Sequence, residues 1–116
     1  MAKILIVEDT EDILEMLDFI IQRHGHQSSV ACCRAELLAN LSIITPDLIL
    51  MDVMLKNEDG RKLCKEVKET NPNIKVILLS ASFEKLKTYR ENKADDFIEK
   101  PFDINTLLAK INKHLS

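Results

Sequence analysis

At 116 residues and 13.3 kDa the chain can build one core and bury roughly two thirds of its unfolded surface. That excludes two large domains and a barrel of eight strand–helix units. With 46% apolar residues, 30% charged residues, 4% aromatics and a net charge of −3, the composition is that of a soluble globular domain. It argues against direct nucleic acid binding, which calls for a basic face and stacking rings.

The only glycines are Gly25 and Gly60, so neither a dinucleotide fingerprint nor a Walker A loop exists. No apolar run approaches a membrane span, and the apolar stretch after Lys3 is too short for a signal sequence. The expected location is therefore the cytoplasm, with no membrane partner. Cys32, Cys33 and Cys64 are odd in number and contain no Cys-x-x-Cys pair. They are read as small buried hydrophobes.

In chain order, Lys3–Val7 is a short apolar strand. Ile13, Leu17, Ile20 and Ile21 then share one helical face. This helix opens at Asp9-Thr10, good capping residues, and closes at His24-Gly25, with glycine at the left-handed stop. Ser28–Ala31 is a weak strand and Arg34–Leu41 a short helix. After Thr45-Pro46-Asp47, Leu48–Met51 is a strong strand. A polar loop, Lys56–Gly60, leads to a helix over Arg61–Thr70 with Leu63, Cys64 and Val67 inward. Val76–Leu79 is the next strong strand. Phe83–Asn92 is a poorly patterned helix, rich in Lys and Glu. Asp96–Glu99 alternates like a half-exposed strand. Ile104–Leu115 is amphipathic, with Ile104, Leu107, Leu108, Ile111 and Leu115 inward.

Strands alternating with helices imply a parallel sheet covered on both faces. Strands one, three and four are continuously apolar, as central strands are, whereas two and five are mixed, as edges are. Right-handed crossovers then give the order 2-1-3-4-5, a flavodoxin-like, doubly wound three-layer sandwich. In this fold ligands bind beyond the carboxyl ends of the strands, at the switch point between strands one and three. Glu8 and Asp9 follow strand one, Asp52 ends strand three, Ser80 follows strand four, and Lys100-Pro101 follows strand five. Three carboxylates against one ammonium invite a divalent cation, and oxygen-only ligands favour Mg²⁺, or Mn²⁺, over Zn²⁺.

Together these residues resemble a receiver domain of two-component response regulators. The resemblance rests on Glu8-Asp9 after Ile-Leu-Ile-Val, Asp52 ending Leu-Ile-Leu-Met-Asp and Gly60 eight positions on. It rests further on Ser80-Ala81 after Ile-Leu-Leu and on the run from Asp95 to Phe102. It covers nearly the whole chain. It implies that Asp52 is the phosphoacceptor, a carboxylate nucleophile charged by a histidine kinase or a phosphotransfer protein. It implies Mg²⁺ held by Asp9, Asp52 and the Met54 backbone carbonyl, with Glu8 acting through water. Lys100 would pair with the phosphoryl group, Ser80 would donate to it, and Phe97 would be the switch aromatic. The Lys100-Pro101 peptide would be cis.

The sequence departs from the family pattern at Lys56, where proline is common, and at Lys93, where glycine usually ends the fourth helix. That helix is therefore expected to be short or irregular. Residues 1–116 are expected to form a stand-alone receiver without an output domain, its phosphorylation read by a downstream effector protein; a receiver excised from a larger regulator would look identical. Such a domain catalyses only its own phosphotransfer and dephosphorylation and is not a conventional enzyme. The alternative is a degenerate receiver acting as a phosphorylation-independent interaction module. A flavodoxin-type electron carrier is disfavoured because Glu8-Asp9-Thr10-Glu11-Asp12 would repel a flavin phosphate. A haloacid-dehalogenase-type phosphatase would need Asp-x-Asp after strand one, which is absent.

Overall fold

The computed structural model describes residues 2–116. The elements are β1 (Lys3–Val7), α1 (Glu11–Arg23), β2 (Gln27–Ala31), α2 (Arg34–Ile43), β3 (Leu48–Asp52), β4 (Met54–Leu55), β5 (Glu58–Asp59), α3 (Gly60–Thr70), β6 (Lys75–Ser80), α4 (Phe83–Leu86), a 3-10 turn (Tyr89–Asn92), β7 (Asp96–Glu99) and α5 (Ile104–Leu115). The main sheet runs β2-β1-β3-β6-β7, with every pairing parallel. This is the expected 2-1-3-4-5 order once the short β4–β5 ladder is set aside.

Alternation along the strands divides the core into two layers, because successive side chains point to opposite faces. Ile4, Ile6, Leu48, Leu50, Ile77 and Leu79 pack with Leu17, Ile20 and Ile21 of α1 and Leu107 and Ile111 of α5. Leu5, Val7, Ile49, Met51, Val76 and Leu78 pack on the other side with Leu37 of α2, Leu63, Cys64 and Val67 of α3, and Leu86 of α4. Each such side chain, once buried, contributes about 1.5–3 kcal/mol. Gly25 takes the left-handed stop after α1, at φ 86°.

Several expectations change. Ile104 is half exposed: as the first residue of α5 it stands ahead of the turn that meets the sheet, which Leu107 and Ile111 occupy. Cys32 is exposed and Cys33 half-buried, so among the cysteines only Cys64 is a buried hydrophobe. The first two lie past the end of β2, outside the packed layers. The loop after Asp52 is not featureless, for Met54–Leu55 pairs antiparallel with Glu58–Asp59. Asn57 takes φ 62° at its tip, a conformation asparagine tolerates.

The Phe83–Asn92 helix is reduced to one turn of α-helix and one of 3-10 helix. Only Leu86 of these residues is buried, and without an apolar stripe little tertiary packing holds a longer helix. Lys93 ends the segment at φ 66°, the left-handed position that the family pattern fills with glycine. Its ion pair with Glu69, 3.5 Å between half-exposed side chains, is worth little. Lys93→Gly is therefore expected to stabilise the fold by up to about 1 kcal/mol in chemical denaturation. A loss of stability would show that the ion pair outweighs the strain.

Candidate functional site

The carboxyl ends of β1, β3, β6 and β7 face one end of the molecule. β1 and β3 are hydrogen-bonded neighbours in register up to Val7 and Met51, so Glu8, Asp9 and Asp52 emerge side by side. One carboxylate oxygen from each lies within 4.8 Å of the others. Glu8 is wholly buried and Asp52 nearly so. The Lys100 ammonium reaches in from β7, 2.9 Å from Glu8 Oε1 and 3.3 Å from Asp52 Oδ2. Its backbone is aimed by Lys100 N–H donating to Ser80 O at 2.8 Å. The Lys100-Pro101 peptide is cis.

Each carboxylate is differently tied. Glu8 uses both oxygens, Oε1 for Lys100 and Oε2 for the Thr10 N–H at 3.1 Å. Thr10 is the N-cap of α1, as expected, but its side chain makes no capping hydrogen bond. Asp9, half-buried, accepts the Lys56 N–H at 2.5 Å through Oδ2. This joins the β1 loop to the β4–β5 turn. Asp52 Oδ1 accepts the Met54 N–H at 3.3 Å.

Burial, reinforced by hydrogen bonding to Glu8 and by its charge, pushes the Asp52 carboxyl up to about 7, although Lys100 opposes the shift. Burial also works against the Glu8 carboxylate, yet hydrogen bonds with Asp52, Lys100 and Thr10 hold it below the usual range. Burial disfavours the Lys100 ammonium too, but Glu8 and Asp52 hold its pKa above the ordinary value. One ammonium among three carboxylates leaves excess negative charge in a desolvated place. The donors are all oxygen, which fits a hard divalent ion of the Mg²⁺ or Mn²⁺ kind. Among the described residues Asp9 keeps its Oδ1 free, Asp52 holds its partners Lys100 and Met54 N–H only at 3.3 Å, and Glu8 holds Lys100 and Thr10 N–H more closely, at 2.9 and 3.1 Å.

Ser80, Met54 and Phe97 are placed less simply. Ser80 is buried at the end of β6, where its hydroxyl accepts the Ser82 N–H at 3.0 Å. Among the described residues its hydroxyl makes no hydrogen bond to Asp52. Met54 lies two residues past Asp52 with an exposed side chain, its Sδ 2.8 Å from Lys85 Nζ. Phe97 is half-buried behind the site. Its ring meets Phe83 edge-on at 6.1 Å and Tyr89 at 5.1 Å, and Lys110 Nζ lies 4.6 Å above it.

Sequence reasoning missed why Gly60 matters. A Cβ there would stand 1.9 Å from the Asp52 carbonyl oxygen. Gly60 N–H also donates to Val53 O at 2.8 Å, pressing the start of α3 against the chain just past Asp52. A glycine eight residues past an aspartate was visible, but no local pattern foretold that contact. Arg34, which joins Glu58 and Glu66 at 2.8 Å each, was also unforeseen. So was Asp96, which gathers Lys110 and His114 from α5 at 3.0 and 2.8 Å.

Over residues 4–112 the chain matches the family model of the response regulator receiver domain. The chain belongs to this family. The receiver is 36% identical over 120 residues to the transcriptional regulatory protein YxdJ of Bacillus subtilis, covering 99% of this chain and 51% of that protein. It is 33% identical over 117 residues to the response regulator ArlR of Staphylococcus saprophyticus, covering 99% and 53%. It thus spans about half the length of the curated relatives it matches. The receiver domain of NtrX from Brucella abortus superposes with a TM-score of 0.91 at 30% identity, covering 97% of both chains. The BeF₃-activated receiver of DrrB, a Thermotoga maritima protein, does so with a TM-score of 0.88 at 31% identity, covering 99% and 97%. The receiver is thus a signalling module of the two-component type. No described helix is long and apolar enough to cross a membrane.

Proposed function

We propose that Asp52 accepts a phosphoryl group from a histidine kinase or phosphotransfer protein, with Mg²⁺ as cofactor, and that a partner protein reads the resulting surface change. The observation that carries this reading is the position of Asp52: a nearly buried carboxylate raised to about 7, flanked by Glu8, Asp9 and Lys100.

An Asp52 oxygen attacks phosphorus as the bond to the donor breaks, the electron pair leaves with the donor, and an acyl phosphate forms. Before attack Asp52 must be ionised, and Lys100 at 3.3 Å favours that state. During transfer Lys100 is placed to balance the charge of the phosphoryl oxygens as a point charge. Asp9, Asp52 and the Met54 carbonyl would hold the ion, and Glu8, its oxygens already engaged, would act through water. When bound, Mg²⁺ supplies positive charge to the transferring oxygens. The Ser80 hydroxyl would exchange its Ser82 partner for a phosphoryl oxygen, and the change would pass to Phe97 and the α4–β7–α5 surface. The proposed compartment is the cytoplasm, and beyond this self-modification no catalytic turnover of another substrate is proposed. Gene control, named for YxdJ, belongs to that longer protein.

The test is incubation with a small phosphoryl donor, acetyl phosphate, followed by intact mass measurement. One phosphoryl group is expected per chain with Mg²⁺ present and almost none after chelation. An unmodified mass in both conditions would favour the phosphorylation-independent module.

A further inference from the structure

Cys32 and Cys33 occupy the bend between β2 and α2. Cys32 and Glu36 are exposed and Cys33 is half-buried, so the group is open to solvent. Side chains of consecutive residues diverge in a continuing strand, but β2 ends at Ala31 and the bend turns both sulfurs to the same side. The two Sγ atoms and a Glu36 carboxylate oxygen all lie within 4.8 Å of one another. Glu36 is held there by the Cys32 N–H, which donates to Oε1 at 2.8 Å. The backbone is thus already arranged to keep the carboxylate over the thiols.

A tetrahedral ion with metal–sulfur bonds of about 2.3 Å and a metal–oxygen bond of about 2.0 Å needs donors roughly 3.5–3.8 Å apart. Cys32 and Glu36 are exposed and free to rotate toward the half-buried Cys33, which is the movement that would close the remaining gap. Two thiolates and one carboxylate suit thiophilic ions and are poor ligands for Mg²⁺. The acidic cluster at Asp52, all oxygen, has the opposite preference. We propose that Cys32, Cys33 and Glu36 form a second cation site for a thiophilic divalent ion such as Zn²⁺ or Cd²⁺. Water completes the tetrahedron, and binding releases the two thiol protons to solvent. Cys64, wholly buried on the inner face of α3, takes no part.

The test uses the reduced full chain with excess Mg²⁺, titrated with Co²⁺. The expected result is a near-ultraviolet sulfur-to-cobalt charge-transfer band that saturates at one ion per chain and is erased by Zn²⁺ or Cd²⁺. Cys32→Ser and Cys33→Ser should each lose about half the band, and the double variant all of it. Glu36→Gln should keep the band but weaken binding roughly tenfold or more. The band reports bonds to sulfur directly, so ions held at the acidic cluster do not imitate it. No band, a band that survives in the double variant, full affinity in Glu36→Gln, or saturation at one ion per two chains would overturn the site.

Discussion

Asp52→Asn is expected to abolish labelling by acetyl phosphate at the main site and, in metal-free buffer, to make the protein more stable. Both results follow from one carboxylate in one environment. The amide is not a phosphoryl acceptor of this kind, so the first effect is a complete loss. The second concerns charge. The folded-state value of Asp52, about 7, lies above its ordinary 3.8. Between those values the folded protein binds more protons than the unfolded chain, so rising pH through this window removes stability. A neutral amide of the same shape carries no such penalty. The gain in Asp52→Asn should therefore be absent near pH 4, grow toward pH 7 and reach on the order of 1–2 kcal/mol above it. Mg²⁺ should reverse the ranking: it stabilises the wild type by mass action, about 2.7 kcal/mol at a hundred times its Kd, and a neutral amide is a weaker ligand than the carboxylate it replaces. Denaturation midpoints across pH, with and without Mg²⁺, check this. A variant less stable than wild type in metal-free buffer at pH 8 would mean that Lys100 fully compensates the Asp52 charge.

Gly60→Ala is expected to damage fold and site together. The added methyl would lie 1.9 Å from Asp52 O, 2.8 Å from Asp52 C and 3.0 Å from Val53 Cα. All three are backbone atoms, so no rotamer change relieves the clash. Either the first turn of α3 withdraws, breaking the 2.8 Å bond from Gly60 N–H to Val53 O, or the Asp52 peptide shifts. Overpacking of this kind costs about 1–3 kcal/mol, which lowers the melting temperature by several degrees. A shift approaching 1 Å at a reacting carboxylate slows transfer about a hundredfold. Thermal unfolding and the initial rate of acetyl phosphate labelling measure the two effects. Wild-type values for both would show that α3 yields freely and that the contact does not position Asp52.

What the sequence reveals, and what it hides, follows from which interactions are local. Sheet order was readable because Leu48–Met51 and Val76–Leu79 are apolar throughout whereas Gln27–Ala31 is not, and burial on two faces demands that difference. The convergence of Glu8, Asp9, Asp52 and Lys100 was readable because topology alone brings strand ends together. The Gly60 approach to Asp52, the Arg34 bridge to Glu58 and Glu66, and the aromatic group around Phe97 were not. Each depends on residues from separate elements meeting at a distance that no periodicity encodes. Ile104 failed as an inward residue because helical phase says little at a terminus: it is the first residue of α5, and burial begins only at Leu107. Cys32 failed for a related reason: composition speaks for average burial, whereas a bend at a strand end sets the individual case.

The most direct measurement is a pH titration of the Asp52 side-chain carboxyl by carbon-13 NMR, in metal-free buffer and again with saturating Mg²⁺. The expected midpoint is near 7 without metal, falling into the ordinary carboxylate range or below when the ion binds. A midpoint near 4 that ignores Mg²⁺ would contradict this, since Asp52 would then be neither desolvated against Glu8 nor shared with a cation.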